Sequence, residues 1–310
     1  MSIKLRLLLW YLNTFKKDDL ISDPSIIRAQ NAKDIPLFHK LLDYKPIDLY
    51  HISDRQIQVR DGSEIRLRIY RPTDQKDLPA IVYYHGGGFV LRSIESHDLA
   101  CRRFAHDNHS IVISVDYRLA PEFKFPIPHQ DCYDATVWVA EHAEELGIDS
   151  DQLTVMGDSA GGNLATVVSI LARDHNGPNI KNQVLIYPTV DARLKHPSID
   201  SYGKGYFLTK PLMQWFVDHY KSSNNDINNP LMSPLLTDDL TNLPPAFVFT
   251  AEYDPLKDEG EAYAMKLQDQ GIDVEFKEYP NVIHGFINMP KISKESLMAY
   301  RDIQSFLNQE

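Results

Sequence analysis

The sequence predicts an α/β fold, a mostly parallel central sheet with helices on both faces. Three observations carry this. Short runs rich in Val, Ile and aromatic residues recur without polar alternation, as strands covered on both faces do. Longer helical segments lie between them, and strand–helix alternation builds a parallel sheet. The 310 residues, 43 % hydrophobic and 24 % charged, have an ordinary globular balance and enough length for a substantial core.

The first ~50 residues read as helices with breaks at Pro24, Pro36 and Pro46. Leu5, Leu8, Leu9 and Leu12 share one helical face, so the N-terminal helix is expected to dock on the protein. The alternatives are a signal peptide or a surface anchor. The apolar run lacks a small-x-small cleavage site and is broken by Asn13 and Lys16-Lys17. The period then changes to two. Ile57 and Val59 precede Asp61-Gly62, and Ile65, Leu67 and Ile69 follow it. Asp-Gly supplies positive φ cheaply, so the two runs form a hairpin.

The buried strands are expected at Ala80–Tyr84, Ile111–Val115, Leu153–Met156, Val184–Tyr187 and Phe247–Thr250, with one more at Glu275–Tyr279. Helices are expected at about Ser96–Asn108, Gln130–Leu146, Gly161–Asp174 and Asp258–Gln270. Lys294–Asn308 closes the chain, with Ser293 as its cap. Asp191–Leu240 contains no strand, only loop and a helix near Pro211–Tyr220. It reads as an excursion that forms a lid with the N-terminal helices. The expected organisation is N-terminal cap helices over 1–50, the first part of the core over 51–190, a cap insertion over 191–240 and the rest of the core over 241–310.

Gly157-Asp158-Ser159-Ala160-Gly161 fits G-x-S-x-G, between an expected strand and an expected helix. A nucleophile at so sharp a turn has strained dihedrals, and glycines two residues away on each side relieve crowding. The following helix aims its N-terminus at the site, where it stabilises developing negative charge. His85-Gly86-Gly87-Gly88-Phe89 follows the first buried strand. Three glycines let the backbone approach a ligand and turn its N–H groups inward. An acyl-transfer enzyme needs such donors, each worth about 2.7–4 kcal/mol to the oxyanion. The Ala160 N–H completes the hole.

A base and an acid are then expected downstream, in the order Ser…Asp/Glu…His. Only His175, His196, His219 and His284 follow the serine. His284 stands in the loop after the last strand, with Gly285 free to aim it. Asp254, stiffened by Pro255, is the candidate acid, to hold the imidazole tautomer and stabilise the imidazolium. Glu252 and Asp258 are its rivals.

With His85–Phe89, Asp116-Tyr117-Arg118-Leu119-Ala120-Pro121-Glu122, Gly157–Asn163, Asp254-Pro255-Leu256 and His284-Gly285-Phe286 in this order, the sequence resembles the hormone-sensitive lipase family, bacterial-type branch, of α/β-hydrolase carboxylesterases. The resemblance implies a Ser159–Asp254–His284 triad and a helical cap. It implies oxyanion donors from the Gly86, Gly87 and Gly88 run, chiefly Gly87 and Gly88, with Ala160. It also implies hydrolysis of short- to medium-chain acyl esters. His85 is then structural support, and Asp116, Arg118 and Glu122 are scaffold charges; Asp158 reads the same way. Phe89, Tyr206, Phe207, Leu208, Trp215 and Phe216 are candidates for the acyl pocket. An amidase or peptidase, or a non-catalytic ligand-binding protein, would share this scaffold.

Net charge is 32 − 43 = −11, with no basic cluster, so no nucleic-acid partner is expected. Two cysteines, Cys101 and Cys132, make no metal or redox motif and suit a reducing compartment, hence a cytoplasmic location. His106 and His109 form an H-x-x-H without a third ligand nearby. No phosphate or dinucleotide fingerprint appears, so neither metal nor cofactor is expected. No stretch approaches the roughly 18 apolar residues of an integral membrane segment. The expected partner is a small-molecule ester, and a homodimer stays open.

Overall fold

Two N-terminal helices precede the sheet in this computed structural model, which describes residues 1–15 and 23–309. They are α1 (Ile3–Phe15) and α2 (Pro24–Leu42). Lys16 and Lys17 lie outside the described residues. The chain continues as β1 (His51–Gln58), β2 (Glu64–Arg71), β3 (Leu78–Tyr84), α3 (Asp98–Asp107), β4 (Ile111–Asp116), α4 (Ile127–Glu141), α5 (Ala143–Leu146) and β5 (Ile148–Asp158). It closes with α6 (Ala160–Asp174), β6 (Asn182–Ile186), α7 (Pro197–Tyr202), α8 (Lys210–Tyr220), β7 (Ala246–Tyr253), α9 (Lys257–Asp269), β8 (Val274–Ile283) and α10 (Lys294–Leu307).

The eight strands form one sheet in the order β1-β2-β4-β3-β5-β6-β7-β8. β1 and β2 are the expected antiparallel hairpin, and Gly62 takes φ +81° at its turn. β2 joins β4 antiparallel, and every pairing from β4 through β3 to β8 is parallel. Successive residues of a strand point to opposite faces, and here both faces are covered. Val82, Tyr84, Val155 and Leu185 pack in one cluster with α4, α6 and α9. Ile81, Tyr83, Met156 and Val184 pack in the other, with α3 and α10. This explains the unbroken apolar runs.

Pro36 does not break the N-terminal helix; it lies inside α2. An interior proline costs about 3 kcal/mol, but α2 is tied down along its length. Asp23 accepts from the Ser25 N–H, Arg28 Nε donates to Val90 O at 2.7 Å, and Lys291 N–H donates to Leu42 O. Pro24 sits in the first turn, where its missing N–H costs nothing. Leu5 and Leu9 of α1 are buried against Ile283 and Met289 beside Phe207, so this helix docks as expected. Burying the pair is worth about 1.5–3 kcal/mol per side chain, which offsets the marginal stability of so short a helix alone. α7 was not foreseen. Ser293 occupies the cap position of α10, yet its hydroxyl donates to Glu295 Oε2 at 2.9 Å and caps no amide. Among the described residues no helix is long and apolar enough to cross a membrane.

Candidate active site

Ser159 stands alone between the end of β5 and the start of α6, with φ +57° and ψ −117°. Such a backbone is strained for a residue with a Cβ and persists only where its surroundings over-determine it. The flanking glycines supply that. A Cβ on Gly157 would lie 2.3 Å from the Gly161 carbonyl, and one on Gly161 would lie 1.9 Å from Tyr84 O. The Ser159 N–H donates to Ile186 O at 2.8 Å, which pins the turn to β6.

β7 and β8 deliver the other two groups to the same sheet edge. Asp254 follows β7 and is fully buried; its Oδ1 accepts from the Leu256 N–H at 2.9 Å. His284 follows β8, next to Gly285 at φ +82°. Its Nδ1 lies 2.7 Å from Asp254 Oδ2 and its Nε2 2.9 Å from Ser159 Oγ. A carboxylate only accepts, so Nδ1 carries the proton and Nε2 is left to accept from the serine hydroxyl. The rival groups are engaged elsewhere. Glu252 accepts from the Asn281 N–H, and Asp258 from the Ser198 N–H. His196 meets Asp191, and His219 meets the Trp215 carbonyl. His106 Nδ1 lies 2.8 Å from Asp107 and His109 Nε2 3.0 Å from Gln75.

The glycine run divides. The Gly86 N–H donates to Asp158 Oδ1 at 2.9 Å, so Gly86 is a structural contact and leaves the expected donor set. Among the described residues nothing accepts the N–H groups of Gly87, Gly88 or Ala160. Gly87 and Gly88 adopt φ +124° and +63°. Asp158 is the anchor of this loop. Its carboxylate also accepts from Tyr83 Oη at 2.7 Å and lies 3.2 Å from His97 Nε2. Burial alone would raise its pKa, but the His97 charge and these hydrogen bonds hold it well below the usual carboxylate range. His85 stacks on Tyr117 at 4.3 Å, and burial, with His97 nearby, pushes its imidazole down to about 3. It is a neutral support.

Beside Ser159 opens an apolar cavity with about 520 Å³ of empty space, its mouth included. Phe89, Leu208 and Phe216 line it as expected. Trp215 and Phe207 do not. Trp215 is buried against His219, and Phe207 packs toward Gly285 and Met289 in the cluster beneath α1. Tyr206 stacks on Tyr253 instead. Sequence reasoning reached Phe216 but missed the stripe it belongs to: Met213, Val217 and Tyr220 recur with it at helical spacing on α8 and face the cavity together. Leu194, Met232 and Leu256, which also line it, come from irregular segments with no periodic signal.

Fold and site together have the geometry of a hydrolase built on an open parallel sheet. Residues 81–288 match the family model described as "alpha/beta hydrolase fold". The chain is 44 % identical over 244 residues to an arylesterase of Saccharolobus solfataricus, covering 78 % of this chain and 79 % of that one. It is 41 % identical over 251 residues to an ethyl acetate hydrolase of Pseudomonas putida, covering 79 % and 78 %. An esterase structure from Pyrobaculum calidifontis superimposes with a TM-score of 0.90 at 44 % identity, over 99 % of this chain and 98 % of that one. The chain belongs to the α/β-hydrolase family, in its hormone-sensitive-lipase-like carboxylesterase group.

Proposed function

We propose that this protein is a serine carboxylesterase acting on short- to medium-chain acyl esters, with Ser159, His284 and Asp254 as its triad. The observation that carries the proposal is the continuous chain from Ser159 Oγ through both imidazole nitrogens to a buried carboxylate, at 2.9 and 2.7 Å. Ser159 Oγ attacks the ester carbonyl while His284 Nε2 takes its proton. The oxyanion receives the N–H groups of Gly87, Gly88 and Ala160, aided by the N-terminus of α6. Asp254 stabilises the imidazolium. The tetrahedral centre collapses, and His284 gives its proton to the departing alcohol. Water, deprotonated by the same nitrogen, then attacks the acyl-enzyme and releases the acid and the serine hydroxyl.

The apolar cavity next to Ser159 suits an alkyl acyl group of limited length, and the esterases among the relatives support the reaction class. The test is a p-nitrophenyl ester series from acetyl to palmitoyl, run on the wild type and Ser159→Ala. The expected result is a burst with the wild type, best turnover at short to medium length, and no burst in the variant. Undiminished turnover in Ser159→Ala overturns the nucleophile. Best turnover on long-chain emulsions overturns the substrate class.

A further inference from the structure

Behind the cavity wall lies a second hydrogen-bonded chain, centred on a buried imidazole. His129, on α4, is 1 % exposed. Its Nδ1 lies 2.7 Å from Tyr220 Oη, and its Nε2 lies 2.8 Å from Asn163 Oδ1. The Asn163 amide nitrogen donates to Thr189 O at 2.8 Å and Met232 O at 3.2 Å.

These contacts fix every bond direction. With both amide hydrogens given to carbonyls, Asn163 can offer His129 only its oxygen, so Nε2 carries the imidazole proton. Nδ1 must then accept, and the Tyr220 hydroxyl donates. Burial pushes the imidazole down to about 4, so it stays neutral at ordinary pH.

The chain ends on groups that shape the cavity. Tyr220, Thr189 and Met232 all line it. The Tyr220 ring stacks on Phe89, also a lining residue, at 4.0 Å and 11°. Asn163 lies one turn into the nucleophile helix, and its N–H donates to Ser159 O. One buried imidazole thus ties the Phe89–Tyr220 wall to the helix that carries the serine. We propose that His129 is a positioning residue for acyl-chain selectivity: it holds the Phe89–Tyr220 wall closed and so penalises acyl groups that need the wall to move. The inference rests on the ester-hydrolase reading and adds what sets its chain-length limit.

Two variants break the chain at different points. His129→Leu removes both bonds at the imidazole, and Tyr220→Phe deletes only the hydroxyl while keeping the ring. The readout is the ratio of kcat/KM for octanoyl to acetyl p-nitrophenyl esters. Each variant is expected to raise that ratio about three- to tenfold, the range that one lost neutral hydrogen bond allows. The double variant should exceed neither single one, because both cut the same link. His129→Gln can donate to Asn163 and accept from Tyr220, and should stay nearer the wild type. Should His129→Leu fail to fold, Tyr220→Phe carries the test. Ratios unchanged in the folded variants, or effects that add, overturn the proposal. If the wild type turns over no ester, the parent reading falls and this one with it; turnover with flat ratios sinks this one alone.

Discussion

Glu259→Gln should flatten the pH dependence of stability. Glu259, on α9, is fully buried; its Oε1 accepts from the Val190 and Asp191 N–H groups at 2.8 and 3.2 Å. The Thr189 side chain is its other polar neighbour. The facing charges are those of Asp191, which Arg193 and His196 hold. Burial pushes the Glu259 carboxyl up to about 8, with the Asp191 charge adding to it and the two amides opposing. The folded state therefore keeps a proton that the unfolded chain, at its ordinary value of 4.5, releases. Where the folded state binds more protons, stability falls as pH rises. The contribution is fully present below about 4.5, declines from there and is gone once pH passes about 8.

At about 1.4 kcal/mol per pH unit, raising the pH from 5 to 8 removes up to about 4 kcal/mol. Glutamine keeps an acceptor for both amides and cannot ionise. Urea unfolding of both proteins at pH 5 and pH 8 measures the effect. The stability difference between variant and wild type should shift by about 3–4 kcal/mol in the variant's favour at the higher pH. A difference constant to about 1 kcal/mol across the range refutes the reasoning.

Asp254→Asn should leave the geometry near Ser159 intact but favour the wrong imidazole tautomer, lowering kcat by about 10⁴; steady-state kinetics on a short ester checks this. Arg118→Met should cost about 3–5 kcal/mol, because Arg118 makes two side-chain contacts, at 2.6 and 2.9 Å, to the fully buried Asp131, which would be left unpaired. Chemical unfolding at pH 7 reads that loss, and an unchanged midpoint contradicts the pairing argument.

Much of the fold was legible because local and global signals coincide. Gly62 takes positive φ where the hairpin turns, and Gly157 and Gly161 are required where two backbones nearly touch. The candidate serine, acid and base were picked out by the G-x-S-x-G motif, by chain order and by their places after strands, and a parallel sheet brings the carboxyl ends of its strands to one edge. Gly86 was misjudged because its N–H is claimed by Asp158, 72 positions away, and a tertiary partner of that kind leaves no mark in a glycine run. Trp215 was misjudged because size was weighed above helical phase, and Phe207 because it lies between α7 and α8, where no periodicity says which way a side chain turns. Pro36 sits within α2 because anchors such as Arg28 to Val90 outweigh a local preference. The His129–Asn163 chain joins α4, α6 and the insertion, and nothing in the spacing of those residues announces it.

The central claim is that Ser159 is activated by His284 beside donors from Gly87, Gly88 and Ala160. The most direct measurement is a crystal structure after treatment with a short-chain acyl phosphonate. The account predicts phosphorus bonded to Ser159 Oγ, with the phosphoryl oxygen about 2.7–3.1 Å from those amides and none to Gly86. An unmodified Ser159, or a phosphoryl oxygen turned away from the glycine loop, contradicts it.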